Sequence, residues 1–303
     1  MKKFLKVCLI TAGILFGIGL IFCLIGKVYG GEGQFLSLLK DGKFGVEIGD
    51  GIVGIKQFDI GDMNSFDKHF EIKSGDIDKE VLAEAGYETI QIEIGGGELV
   101  FLPSDDEKIY VEAEGVGKFQ AYTADNKVKI KSLKTASMVI GKITVYLPNQ
   151  VTLRELDLSV GGGTIDMTEV DIYANNINIE LGAGQIVADY VESRNVEIEV
   201  GAGEAIIENI SVDNLSANVG MGDIRIRGDI GQELEVECAM GNADFDLAGA
   251  EEDFNYILEC AAGNISVGRN DYSGIAIDRE IDNGAMKDCS LECAMGNISV
   301  RFQ

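Results

Sequence analysis

Glutamate recurs in this chain at intervals suited to bringing carboxylates side by side. Glu199 follows Glu180 by 19 residues, and Glu259 follows Glu237 by 22. Each lies between two apolar residues and just before a glycine-containing corner, as in IELGAG and LECAAG. If consecutive segments stack in register, Glu180 lies beside Glu199 and Glu237 beside Glu259. Adjacent carboxylates repel by roughly 1 kcal/mol in water, and a divalent cation relieves that repulsion. A cation-binding ladder is thus the first chemistry the residues suggest; the simpler reading is a solvated acidic face.

Two further groups have the right residue types. Lys127, Lys129 and Lys131 share one face of the run KVKIKS, near Lys118, Lys134 and Lys142, and would suit an anionic wall polymer or lipid headgroups. Arg269, Asp271, Asp278, Arg279, Glu280 and Asp282 crowd the stretch 268–290, where a polysaccharide-cleaving site would be sought; an insertion loop explains the stretch more simply. Other chemistry is excluded. His69 is the one histidine, so a histidine-based triad or a His-rich metal site is ruled out, and no GxSxG or HExxH appears. Gly49 to Gly54 matches GxGxxG, but the following IVGIKQFDI is strand-like and provides no helix to hold a dinucleotide. No cofactor is expected.

What positions these residues is a repeat. Ten-residue segments of the type LECAMGNISV recur eight times, with the second corner glycine at Gly97, Gly163, Gly184, Gly203, Gly222, Gly241, Gly263 and Gly296. Most successive copies are 19 to 22 residues apart, with gaps of 66 and 33. Apolar residues alternate before the corner (Ile198, Val200) and after it (Ala205, Ile207), the signature of strands with one buried face. Five positions separate the last inward residue from the next, an odd number that would put a continuous strand on the wrong face. The backbone must therefore turn, and glycine provides the φ > 0 conformation for doing so. The first corner glycine is replaced in Ala239, Ala261 and Ala294, which makes the second the strained one. The fold class expected is all-β, a single-stranded β-solenoid with coils of about 19–22 residues. Cys238, Cys260 and Cys293 fall in the inward slot of Val200 and Val219, with Cys289 on the same strand face. They read as core-filling thiols, the alternative being one bridge between adjacent coils.

The N-terminal residues bear on location. Val7 to Gly26 are uncharged and mostly apolar, long enough as a helix to span a bilayer, with Lys2, Lys3 and Lys6 before them. No cleavage site of the A-x-A kind follows. The expected organisation is a cytoplasmic tail (1–6), a transmembrane helix (7–26), a glycine-rich juxtamembrane linker and cap region (27–86) and an extracellular solenoid (87–303). Within the cap region, DIDKEVLAEAG reads as a turn or two of helix. With 51 acidic and 25 basic residues the net charge is −26, which opposes nucleic-acid binding and keeps a long β surface soluble.

The segments IEIGGGELVFLPSDDEKIYVEAEG, KVKIKS and ITVYLPNQVTLRELDLSVGGGTID, followed by the GAG and GMG corners, resemble the bacterial putative-adhesin family of membrane-anchored β-strand-repeat proteins. The family's defining domain is one of unknown function. The resemblance covers about residues 87 to 303 and implies a bacterial host and a β-solenoid; it brings no catalytic residues with it. Three function classes follow. The first is a non-enzymatic surface protein that adheres to or spaces envelope components, with the bilayer, a cell-wall polymer or another envelope protein as partner. The second is an accessory or sensor in envelope-stress signalling, and the third a polysaccharide-active β-helix enzyme.

Overall fold

Alternation on either side of a corner is what the chain builds, coil after coil. The computed structural model describes residues 45–49, 52–56, 66–84, 86–132, 141–149, 151–274 and 276–303. Strands dominate, and the helical element among these residues is the single 3-10 turn Glu251–Asp253. No helix among them is long and apolar enough to cross a membrane; the segment 7–26 lies outside the described residues. In the strand Ile172–Val219, Ile177, Ile179, Leu181, Ile186 and Ala188 are buried. One coil later the same slots hold Val196, Ile198, Val200, Ala205 and Ile207, also buried. Each such isoleucine or leucine contributes about 1.5–3 kcal/mol by leaving water, so the core is a column of equivalent apolar residues.

Parallel ladders join the coils. Leu156 pairs with Ile177, Ala205 with Ile224 and Ile224 with Ala243, spacings of 21, 19 and 19 residues. The stack is solenoid-like, but its order is not the chain order. Val236 pairs with Leu291, and Leu291 in turn with Leu258. The rung 287–302 therefore lies between two rungs that precede it in sequence. At the other end the displacement is reversed: Ile92 is flanked by Ile130 on one side and Leu158 on the other, in two rungs that follow it in sequence.

Both ends are closed by antiparallel strands. Ile277–Ile281 pairs with Phe254–Cys260, and Asn270–Ser273 with Asn264–Val267. At the opposite end Lys118–Ala124 covers Lys127–Ser132, and Ile109–Glu114 covers Lys142–Pro148. Such covers saturate the open hydrogen-bonding edge of a parallel stack and block edge-to-edge growth. Two expectations are corrected here. The stretch 268–290 is no insertion loop; much of it is these cap strands. The helix expected in DIDKEVLAEAG is the strand Ile77–Ala83, paired antiparallel with Ile109–Glu114. An available strand edge outweighs the mild helix propensity of that segment. The Gly49–Gly54 motif lies in a hairpin, Gly45–Gly49 against Ile52–Lys56, and starts no helix.

The corners hold the same hydrogen-bonding through their bend. Gly220 N–H donates to the Val200 carbonyl at 2.9 Å, Met221 to Gly201 at 2.8 Å and Asn242 to Gly222 at 3.0 Å. Keeping these bonds around a corner brings backbones so close that no side chain fits at the second glycine position. A Cβ on Gly203 would meet the carbonyl oxygen of Gly184, one on Gly241 that of Gly222, and one on Gly296 that of Gly241, all well inside van der Waals contact. The eight corner glycines, with Gly141 below Gly97, thus form one continuous column. Their backbone conformation differs from the expectation in half of them. Gly97, Gly163, Gly184 and Gly203 have φ between 132° and 144°, whereas Gly222, Gly241, Gly263 and Gly296 lie outside the left-handed region. At these four, close approach rather than φ demands glycine. Cys238, Cys260, Cys289 and Cys293 are buried and unbridged; Cys8 and Cys23 lie outside the described residues.

Gly203→Ala and Gly241→Ala are each expected to destabilise the domain by about 3 kcal/mol or more. Gly201→Ala, at the corner position where Ala239, Ala261 and Ala294 already stand, should cost clearly less than either, although the equivalent Gly220 also lies close to the backbone of the next rung. Thermal or urea unfolding of the three variants measures the difference; equal losses would remove the column argument.

Candidate functional site

The outward slot just before each corner forms a row that crosses the whole stack. From the N-terminal end Lys131 pairs with Glu93, Glu93 with Ser159 and Ser159 with Glu180. Toward the other end Asn218 pairs with Glu237, Glu237 with Glu292, Glu292 with Glu259, and Glu259 with Asp278 of the cap. Strand alternation points these side chains outward because their neighbours, such as Val236 and Cys238 around Glu237, fill the core.

The structure brings Glu180 and Glu199 together but not Glu237 and Glu259. Glu292 of the inserted rung separates that second pair, so the expectation that consecutive coils adjoin there is corrected. The resulting trio Glu237–Glu292–Glu259 is denser in like charge than the expected pair. Burial, and then the Glu237 and Glu259 carboxylates, push the Glu292 carboxyl up. Burial, and then Glu199, raise the half-buried Glu180 to about 7, although Ser159 donates a hydrogen bond to it at 3.2 Å. The row runs along the sheet and does not converge on a point: among the described residues no group of three or more His, Cys, Asp or Glu is disposed to hold a metal ion.

The lysine run meets carboxylates. Lys131 Nζ lies 2.9 Å from Glu93, and Lys127 Nζ 3.8 Å from Glu155. Lys129 lies opposite Gln91, Lys118 is on the covering strand, and Lys142 opens the strand Lys142–Pro148; Lys134 lies outside the described residues. Two of the three lysines on that strand therefore serve as counter-ions within the acidic surface. Arg269, Asp271, Asp278, Arg279, Glu280 and Asp282 are all exposed along the C-terminal cap, with Arg279 stacked on Tyr272 at 5.4 Å.

Sequence reasoning missed two other rows. Asn214 donates to Asn195 and Asn195 to Asn176, each at 2.8 Å, an amide ladder with its own groove of about 280 Å³. On a second face Arg227 bonds Glu208 at 2.8 Å and Asp246 at 3.3 Å, and Arg301 bonds Asp246 at 2.6 Å. The Arg301 guanidinium, followed by Arg227, holds the Asp246 carboxyl below its usual range. Asparagines exactly one coil length apart were a visible signal for the first. Glu208, Arg227 and Asp246 carry the same signal for the second, each 19 residues from the next; only Arg301 had none, because it joins through the inserted rung.

A family model described as Toastrack DUF4097 matches residues 87–288. No curated protein matches the chain. Among solved structures, one titled "putative adhesin" from Bacteroides fragilis is 13% identical, with 77% of this chain and 98% of that chain covered and a TM-score of 0.40. A "putative cell adhesion protein" from Clostridium sporogenes is 10% identical (75% and 98% covered, TM-score 0.33). A "putative lipid binding protein" from Parabacteroides distasonis is 14% identical (74% and 96% covered, TM-score 0.32).

The raised Glu180 carboxyl has a pH consequence with a definite sign. Its folded-state pKa, about 7, exceeds the ordinary 4.5, so folding favours the protonated acid. That contribution is full below about pH 4.5 and lost as pH rises through 7. Glu180→Gln should therefore raise the unfolding midpoint at pH 8 by a few degrees, about 1 kcal/mol after solvent screening, and leave it unchanged at pH 4.5. Thermal melts at the two pH values check this.

Proposed function

The chain belongs to the Toastrack DUF4097 family, and on that premise we propose that it is a non-enzymatic, membrane-anchored cell-surface module that binds or spaces envelope components. The observation that carries this reading is the repetition of one residue type over three neighbouring rungs in two of its outward rows. Glu237, Glu292 and Glu259, or Asn176, Asn195 and Asn214, repeat one residue type from rung to rung. Repetition of this kind suits extended contact with a polymer or a second surface. Catalysis calls instead for unlike groups converging on one reacting point. Residues 7–26 anchor the module in the bilayer with 1–6 in the cytoplasm, supported by the apolar length and the lysines before it. The partner is a cell-wall polymer or another envelope protein.

Two measurements test the reading together. Full-length protein expressed in a bacterial host should remain in the membrane fraction after carbonate extraction, and mass spectrometry should find residues 7–26 still attached. A soluble fragment of residues 30–303 should retain a wall polymer or an envelope protein in a pull-down. A mature chain starting near Gly30 would contradict the anchor. Depolymerisation of a wall polysaccharide by the fragment would replace the binding role with the enzyme reading.

A further inference from the structure

The middle residue of each corner points away from the core and is structurally optional. In stacking order it is Gly96, Gly162, Ala183, Ala202, Met221, Met240, Met295 and Ala262. Five of these eight rungs make the corner with glycine or alanine, so the fold requires no side chain there. Three consecutive rungs nevertheless carry methionine, 52%, 44% and 56% exposed. Corner hydrogen bonds fix their spacing: Met240 N–H donates to Gly220 at 2.9 Å and Met295 N–H to Ala239 at 2.8 Å. Adjacent rungs are about 4.8 Å apart, and the long, flexible methionine side chain lets neighbouring thioethers meet on that spacing.

What distinguishes the row from an ordinary apolar patch is its chemistry. Leucine, isoleucine or phenylalanine would serve as well to bury area, and none occurs at this position in any of the eight corners. The thioether is a soft donor, selective for soft cations. Glu237 and Glu292 precede Met240 and Met295 by three residues, and Asp223 follows Met221 by two, within a chain of net charge −26. That field concentrates cations, while the sulfurs decide which are held.

We propose that Met221, Met240 and Met295 form a surface site for a soft monovalent cation, Cu(I) or Ag(I), held by three thioether sulfurs. No bond is broken and no electron is transferred; the ion exchanges its solvent ligands for sulfur. Because Met295 belongs to the inserted rung 287–302 and the other two to rungs laid down earlier, the ion also ties that rung to its neighbours.

The test uses the full-length chain, titrated with Ag(I), and with Cu(I) under anaerobic reductant against a chromophoric Cu(I) chelator. One equivalent should bind, and NMR of methyl-labelled methionine should move three signals. Met240→Leu and Met295→Leu should each weaken binding at least about tenfold, because leucine keeps the volume without the sulfur. Met240→Ala, matching Ala202 and Ala262, is the second variant should leucine disturb the corner, and Met286→Leu, elsewhere on the surface, should change nothing. Unaltered affinity in the Met240 and Met295 variants would overturn the site. So would loss of binding in Cys238→Val with the methionines intact, which would assign the ion to the buried thiols. Equal competition by calcium would assign it to the carboxylates, and no measurable binding of either ion would end the proposal.

Discussion

The constraint on which everything else rests is that hydrogen bonds between rungs continue through the corner. A sheet that bends usually interrupts its ladder, leaving backbone groups to be satisfied by water. Here the ladder is unbroken, and the corner backbone of one rung sits directly on that of the next. The space a Cβ would occupy is filled by the neighbouring glycine's carbonyl oxygen. From that contact follow the coil length, which must return the chain to the same corner, and the in-register stacking of inward and outward slots. The rows of like residues on the surface are a consequence of the glycine column within.

A stack built this way grows by adding rungs to an edge, and it must be stopped at both edges. The chain does so by running past the end, folding antiparallel strands over it and then returning to lay a rung behind. At the C-terminal end the rung laid last, 287–302, occupies the penultimate place. That position brings Glu292 between Glu237 and Glu259, Arg301 beside Asp246, and Met295 beside Met240. The charge pattern of this end is therefore set by a topological event rather than by sequence neighbours. Asp246, flanked by arginines, is held ionised, whereas Glu292, partly buried and flanked by carboxylates, is pushed toward its neutral form.

Much of this was legible in the sequence because it is local. Alternation around each corner, the glycine requirement and the coil length are all contained within twenty residues or so, and Glu180 beside Glu199 follows from them. The rung order was not legible, since LECAMGNISV and LECAAGNISV fit the same slots equally well and nothing local says which rung adjoins which. The one pointer was their near-identity: the two most similar copies are direct neighbours, Cys260 opposite Cys293. The segment Ile77–Ala83 reads locally as helix and forms a strand because its pairing partner, Ile109–Glu114, is a segment some thirty residues away. The demand for glycine was placed correctly, but φ explains it at only half of the corners.

The central claim is that the rung 287–302 is inserted between 233–247 and 254–267, and cysteine cross-linking across the outward row tests it most directly. Glu237→Cys combined with Glu292→Cys places two thiols on adjacent strands about 4.8 Å apart, within the Cα separation a disulfide accepts. Glu237→Cys combined with Glu259→Cys places them two strands apart, roughly 10 Å, beyond that range. The account predicts rapid bridging of 237 with 292 under mild oxidation, mapped by peptide mass spectrometry, and none of 237 with 259. Bridging of 237 with 259 in the folded protein, with 292 left free, would mean that the coils stack in chain order and would contradict the account.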